Sequence, residues 1–405
     1  MANKPMSDAL KAETLAFLKK SDGNITRAAK LAGVNRQTFQ SRVLTASIGL
    51  PAEMTPAVSE AVELKDKIRT LEAQVASFHR ETLDAKYVKE KIIGLAESDP
   101  KVPTWLIKQQ LPKGTPGVPC LLASDWHWGE VVDPGQIGGV NEFNLKIAHE
   151  RTRRMVQNTV DLLNNHMVNP QYPGIVFCLG GDMITGDIHE ELMATNEREV
   201  MPTLVDLWGV LVWCIETLAD KFGKVFVPAV GGNHGRNTKK MRAKGRNFTS
   251  FDWLLYQFLA KRFEGDTRVT FYIPDGPDAL FSIYGHRYLL THGDQFRGGD
   301  ALIGALGPIV RGDHRKRARN MQIAADYDTI VMGHWHQLMQ TQRFIVNGSL
   351  IGYNEYAYNN NFGFEPPRQA LWITHPNRGI TFHMPVQVDK KAVLPEQPWI
   401  QWGKV

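Results

Sequence analysis

Five short stretches of this chain place metal-binding residue types directly after an apolar run. They are Asp125 and His127 in LLASDWHWGE, Asp182 in CLGGDM, Asn233 and His234 in AVGGNHGR, His292 in LLTHGD, and His334 and His336 in VMGHWHQ. Carboxylate, amide and imidazole donors without thiolate suit Mn, Fe or Zn. A single Asp-x-His pair means little, because such pairs are common. The recurrence is what carries chemistry. On an extended chain residues i and i+2 face the same way, so Asp125 and His127 are expected to address one point while Trp126 faces another. In layered α/β proteins sites form where the carboxyl ends of strands meet loops, so five strand ends bearing such residues can converge. Glycines at 181, 232, 293 and 333 allow the sharp turns this requires.

The elements that must position these residues are legible as alternating runs. GVPCLLAS, GIVFCLGG, KVFVPAVGG, HRYLLTHG and DTIVMGH read as buried strands ending in turns. NEFNLKIAHERTRRMVQNTVDLLNNHM and VMPTLVDLWGVLVWCIETLADKF lie between them as helices, and FIVNGSL, QALWITH and ITFHMPV add further strands. Strands alternating with helices imply a layered α/β architecture. That texture begins near residue 117 and defines a catalytic domain over 117–405.

The amino-terminal part differs. Residues 1–45 read as a compact helical domain, and 46–60 form a linker broken by Pro51 and Pro56. Over 61–92, Ala61, Leu64, Ile68, Leu71, Val75 and Phe78 recur at steps of three and four with charges between them. This is the seam of a short coiled coil, or of an amphipathic helix packed on its own chain. Residues 93–116 connect it to the catalytic domain.

A hydrophobic fraction of 43% and a charged fraction of 22% are those of a soluble globular protein. No uninterrupted apolar run approaches the length of a membrane span, and the polar N-terminus lacks a signal-peptide core. Cys120, Cys178 and Cys214 are widely spaced, and they read as reduced core thiols of a cytosolic protein. The net charge of +5 does not by itself demand a nucleic-acid partner.

Taken in chain order, D-W-H, G-D, G-N-H, H and G-H-W-H resemble the calcineurin-like metallophosphoesterase superfamily, over roughly residues 117–350. The resemblance implies a layered β-sandwich flanked by helices and a hydrolase that uses two divalent metal ions, Mn2+ first, with Fe or Zn as options. It implies that Asp125, His127, Asp182 and His336 hold one ion. Asp182 would bridge to a second ion, completed by Asn233, His292 and His334. His234 matches the family histidine that binds phosphate and protonates the leaving oxygen, a general-acid role. Two dications near a phosphodiester neutralise its charge and activate a water for in-line displacement.

The substrate is less sharply written. The phosphoprotein-phosphatase pattern G-D-x-x-D-R-G is absent, and Gly235 departs from both the G-N-H-E and the G-N-H-D versions of the third motif. Two basic runs favour nucleic acid. RNTKKMRAKGR brings Arg236, Lys239, Lys240, Arg242, Lys244 and Arg246, and RGDHRKRAR includes Arg315, Lys316 and Arg317. Both are expected in loops that follow ligand strands, where flanking phosphates would pass, although such runs are often solvated surface. Trp126, Trp128 and Trp335 could stack on bases or pack the loop core.

GNITRAAKLAGVNRQTFQSRV resembles the helix-turn-helix of Fis-type bacterial regulators, which would point Arg36, Gln37, Thr38 and Gln40 at a major groove. Trihelical units of this shape also dock proteins. Together these features lead to the expectation of a cytoplasmic enzyme of a bacterial or phage-infected cell, a DNA nuclease and a homodimer through the coiled coil. The alternatives are a phosphatase or phosphodiesterase acting on nucleotides or phosphoproteins, and a non-enzymatic DNA-binding scaffold.

Overall fold

The computed structural model describes residues 6–47, 117–168, 170–298, 304–390 and 400. The expected coiled coil at 61–92 and connector at 93–116 lie outside the described residues, as does all of the linker beyond residue 47. The chain divides into two units between Leu95 and Ala96.

The first unit is trihelical: α1 (Asp8–Lys20), α2 (Ile25–Leu31) and α3 (Arg36–Ser47). Each helix begins at a side-chain cap that satisfies a free backbone N–H. Ser7 accepts from Leu10, Asn24 from Arg27, and Asn35 from Thr38. Gly33 has φ +67° in the turn between α2 and α3. Ala28, Ala29 and Phe39 are buried against Phe17, Leu18, Ile25, Val34 and Val43. A core this small leaves Arg36, Gln37, Thr38 and Gln40 exposed at the start of α3.

The second unit is built on two mixed sheets. Its elements in chain order are β1 (Val118–Ala123), α4 (Leu145–Asn165), β2 (Ile175–Leu179), α5 (Glu190–Thr195), α6 (Val200–Phe222), β3 (Val225–Pro228), α7 (Phe251–Arg262) and β4 (Val269–Tyr272). There follow β5 (Asp278–Ile283), β6 (His286–Thr291), α8 (Leu306–Gln322), β7 (Thr329–Met332), β8 (Met339–Gln340), β9 (Phe344–Val346), α9 (Glu355–Asn359), β10 (Arg368–His375) and β11 (Gly379–Gln387). The first sheet runs β11-β10-β1-β2-β3-β4 and the second β5-β6-β7-β9-β8. β1 to β4 pair in parallel, as do β6, β7 and β9.

Alternation along the strands explains the layering. Val118, Cys120 and Leu122 of β1 face the second sheet, where they meet Phe281, Tyr288, Leu290 and Val331 among others. Leu121 and Ala123 face the opposite way, toward α4, α6 and α7. The outer face of the second sheet packs Leu289, Ile330 and Met332 against Ile309 of α8. The result is a β-sandwich with helices on both outer faces.

One expectation is corrected. The 311–319 basic run lies on α8, a regular helix, and not in a loop. α6 is long and apolar enough to cross a membrane, a property that a search for uninterrupted apolar runs passes over. Its buried residues, including Leu204, Leu207, Leu211, Ile215 and Leu218, fall at helical spacing and pack on the first sheet as a core helix does. The three cysteines are buried and unpaired, and burial pushes each thiol pKa up.

Candidate metal centre

β1, β2 and β3 of the first sheet and β6 and β7 of the second end at one place, and the loops leaving them interlock. The backbone N–H groups of Asp125 and Trp126 donate to the carbonyls of Gly181 and Asp182, and that of Gly333 donates to His292. The carboxylates are woven into the same web. Asp182 Oδ1 accepts the His234 amide at 2.7 Å, and Asp125 Oδ1 accepts the His334 amide at 2.8 Å. A Cβ on Gly232 would overlap the Asp182 carboxylate, and one on Gly333 would overlap that of Asp125. These two glycines are needed for close approach of loop to ligand.

The backbone itself differs from the extended geometry expected at Asp125 and His127. Five of the seven expected ligands have left-handed φ: Asp125 (+55°), His127 (+47°), Asp182 (+49°), His334 (+69°) and His336 (+52°). Non-glycine residues in this region are strained and persist where the surroundings over-determine them, which is typical of functional sites. The side chains converge because the chain folds back at each strand end.

Six of the seven side chains fall in two clusters, and Asn233 stands beside His292 of the second. Asp125, His127 and His336 form one; Asp182, His292 and His334 form the other, with ligand-type atoms of each within 4.8 Å of one another. His127 Nε2 lies 3.2 Å from His336 Nε2, which is 3.4 Å from Asp125 Oδ1. His292 Nε2 lies 3.0 Å from Asp182 Oδ2 and 3.1 Å from Asn233 Oδ1. Asp182 also joins His127 and His234 in a third group, which makes it the link between the two clusters. Two imidazole nitrogens facing each other at hydrogen-bond distance, beside buried carboxylates, fit a shared cation. The donor set is nitrogen and oxygen only, which suits a divalent transition-metal ion.

The rings are oriented from behind. His292 Nδ1 lies 2.9 Å from the Gly180 carbonyl and His234 Nδ1 3.0 Å from that of Thr185, so each Nδ1–H donates outward and each Nε2 is turned into the site. His127 Nδ1 is 3.2 Å from Glu130 Oε2, an ion-pair distance off the line of an ideal hydrogen bond. Glu130 is buried and also accepts from Asn354 Nδ2 at 2.9 Å and Thr185 Oγ1 at 3.2 Å. Burial disfavours its charge, but the His127 contact and the Asn354 amide outweigh that and hold it at about 2. Burial likewise lowers His234 and His334 to about 4, so both are neutral. His292 goes the other way: the Asp182 carboxylate overcomes burial and lifts it to about 10.

No family model matches the chain, and no curated protein matches it. Among solved structures, a dimetal phosphatase from Danio rerio is similar over 68% of this chain and 100% of that one, at 11% identity and a TM-score of 0.32. A candidate 5′-nucleotidase from Staphylococcus aureus, solved with α-ketoglutarate, is similar over 69% of this chain at 13% identity and a TM-score of 0.30. This chain spans 56% of that protein's length. Likenesses this distant assign no activity, which has to be read from the site.

The residues expected to contact nucleic acid separate into two sets. Lys239, Lys240, Arg242 and Lys244 are exposed in the loop that leaves Asn233 and His234, and Arg315 is exposed on α8. Arg236, Arg246, Lys316 and Arg317 are committed to the fold. Arg246 makes a two-pronged pair with Asp294 at 2.8–2.9 Å, and Arg236 bonds the carbonyls of Asn233 and Thr238. Lys316 is buried on Asp278 at 2.6 Å, and Arg317 is held by Asp313 and the carbonyl of Asp328. Trp126 and Trp128 are fully buried, bonded to Gln369 and Asp206, and cannot stack on a base. Trp335 is half-buried and packs on the α8 side of the second sheet.

Sequence reasoning missed Glu130, although it stands in the same HWGE stretch as His127. It also missed Ser124 and Asn347, which fix Asp125 from behind: Ser124 Oγ–H donates to Asp125 Oδ2, and Asn347 Nδ2 donates to Ser124 Oγ at 2.9 Å.

Proposed function

We propose that this chain is a two-metal phosphoester hydrolase acting on DNA phosphodiesters, with Mn2+ as the first metal to test. One observation carries the reading. Asp182 joins His292 and His334 in one nitrogen-and-oxygen cluster and His127 and His234 in another, at the carboxyl ends of strands from both sheets. Asp125, His127, Asp182 and His336 would hold one ion, and Asp182, Asn233, His292 and His334 the other. When bound, a cation pair supplies charge neutralisation for the phosphate and a more acidic attacking water. The protein's own part is positional. The Thr185 carbonyl fixes the His234 ring with Nε2 toward the site, where the negative charge of a bound phosphate favours protonation of Nε2, and that proton can pass to the leaving oxygen as the phosphorus–oxygen bond breaks. A structural metal site would have no use for that ring.

Support for a polyanion comes from Lys239, Lys240, Arg242 and Lys244, which follow directly on the ligand loop. Support for bases comes from a segment that reasoning on tryptophans overlooked. Tyr356, Tyr358, Phe362 and Phe364 are each about half exposed or more. They follow Asn354, whose amide holds the Glu130 that touches His127. Rings in that position suit stacking by a single strand. The exposed start of α3 supports a second, duplex-binding role for the trihelical unit, presented in pairs if residues 61–92 form a coiled coil.

The test is purified protein with Mn2+, given labelled single- and double-stranded DNA beside bis-p-nitrophenyl phosphate, a nucleoside monophosphate and a phosphopeptide. Cleavage of the diesters is expected. Release of phosphate from the monoesters alone would replace DNA by a nucleotide or phosphoprotein substrate. DNA binding with no hydrolysis of any substrate would leave a scaffold.

A further inference from the structure

Asp252 is not a metal-ligand candidate, yet it is fully buried at the centre of the site's loops. It stands at the second position of α7, the helix that follows the basic loop. Its Oδ2 accepts the backbone N–H of Asp182 at 3.0 Å and that of Gly232 at 2.9 Å, and its Oδ1 accepts the N–H of Met183 at 3.3 Å. One carboxylate therefore ties the loop carrying the shared Asp182 to the loop carrying Asn233 and His234. Charge-assisted bonds of this kind are stronger and more geometrically demanding than neutral ones.

The second observation concerns Gly235, where the third motif departs from G-N-H-D and G-N-H-E. A Cβ built there would lie 2.8 Å from Asp252 Cγ, 2.9 Å from Oδ1 and 3.0 Å from Oδ2. The space in which an acidic side chain at 235 would begin is filled by the carboxylate of Asp252. Gly235 and Asp252 are also locked together through the backbone, since the Phe251 N–H donates to the Gly235 carbonyl.

We infer that Asp252 is the positioning residue of this centre, supplying from α7 the carboxylate that the motif lacks at position 235 and setting the spacing between Asp182 and the Asn233–His234 loop. The inference rests on the two-metal reading above. Its role is exerted on ligands through their amides, and it does not touch the substrate.

The test compares wild type with Asp252→Asn, Asp252→Ala, Gly235→Asp and the double variant Asp252→Ala/Gly235→Asp. Each is titrated with Mn2+ alone and assayed for kcat and KM on bis-p-nitrophenyl phosphate. Loss of a residue that orients metal ligands costs on the order of 10–100-fold in metal affinity or activity. Asp252→Ala is expected to lose that much, with the change falling on metal affinity and kcat and not on KM. Gly235→Asp alone is expected to fail because two carboxylates compete for one space. The double variant is expected to recover most of the loss. Asp252→Asn keeps the volume and one acceptor, so it supplies a folded intermediate case if the alanine variant unfolds.

Wild-type Mn2+ affinity in both Asp252→Ala and Asp252→Asn would overturn the inference. So would a double variant no better than Asp252→Ala. Failure of wild type itself to bind two Mn2+ ions would instead overturn the two-metal reading, whatever position 252 holds.

Discussion

Glu130→Gln is the most informative single change behind the ligands, because it preserves shape while removing one charge and changing which atoms can donate. In the native chain Oε1 accepts from Asn354 Nδ2, and Oε2 faces His127 Nδ1 at 3.2 Å. A carboxylate only accepts, so Oε2 favours a proton on the Nδ1 that it faces, which leaves the Nε2 lone pair toward His336. In the glutamine variant the Asn354 donor keeps the amide oxygen on its side, which turns the NH2 group toward His127. Nδ1 must then accept, and the proton moves to Nε2, the atom that faces the proposed metal. Metal affinity should fall roughly 10–100-fold, equivalent to about 1.4–2.7 kcal/mol. Calorimetric titration with Mn2+ reads the affinity, and thermal unfolding of the metal-free variant shows whether the fold is kept. A folded Glu130→Gln protein that binds Mn2+ as wild type does would refute the orienting role and the tautomer assigned to His127.

Three further outcomes follow from the same geometry. His234→Ala should retain both metals yet lose on the order of a hundredfold or more in turnover on a diester with a poor leaving group, because a positioned proton donor is gone; near-native rates would remove that role. Neutralising Lys239, Lys240, Arg242 and Lys244 together should weaken DNA binding and flatten its salt dependence. Hydrolysis of bis-p-nitrophenyl phosphate should survive, and equal loss on both substrates would make the loop a structural element. Replacing Tyr356 and Phe364 by Ala should weaken single-stranded oligonucleotide binding by about 1–3 kcal/mol per stacked base, with duplex binding less affected; unchanged oligonucleotide affinity would remove the stacking surface.

The convergence of the proposed metal ligands was legible because each one follows an apolar strand closely, so a local pattern carried a fact about the fold. β1, β2, β3, β6, β7, β9, β10 and β11 could be read for the same reason. β4, β5 and β8 could not, being short or only partly buried, and α7 lay hidden because its apolar residues show no strong one-sided pattern. Backbone conformation at the ligands was invisible: alternation placed Asp125 and His127 on one side, whereas their positive φ values show chain reversals. Charge runs misled for a different reason. A count of Lys and Arg cannot show that Arg246 is spent on Asp294 or Lys316 on Asp278, partners that the fold alone supplies. Asp252 was missed because its importance lies in three backbone amides from two distant loops, which no side-chain motif records.

The shared role of Asp182 is the centre of this reading, and anomalous X-ray diffraction from crystals soaked in Mn2+ addresses it directly. Two manganese peaks are expected. One would lie among Asp125, His127 and His336, the other among Asn233, His292 and His334, with the Asp182 carboxylate between them. Crystals of the Asp182→Asn variant soaked in the same way should show both peaks strongly weakened. A single ion, ions bound away from these residues, or two full peaks in the variant would contradict it.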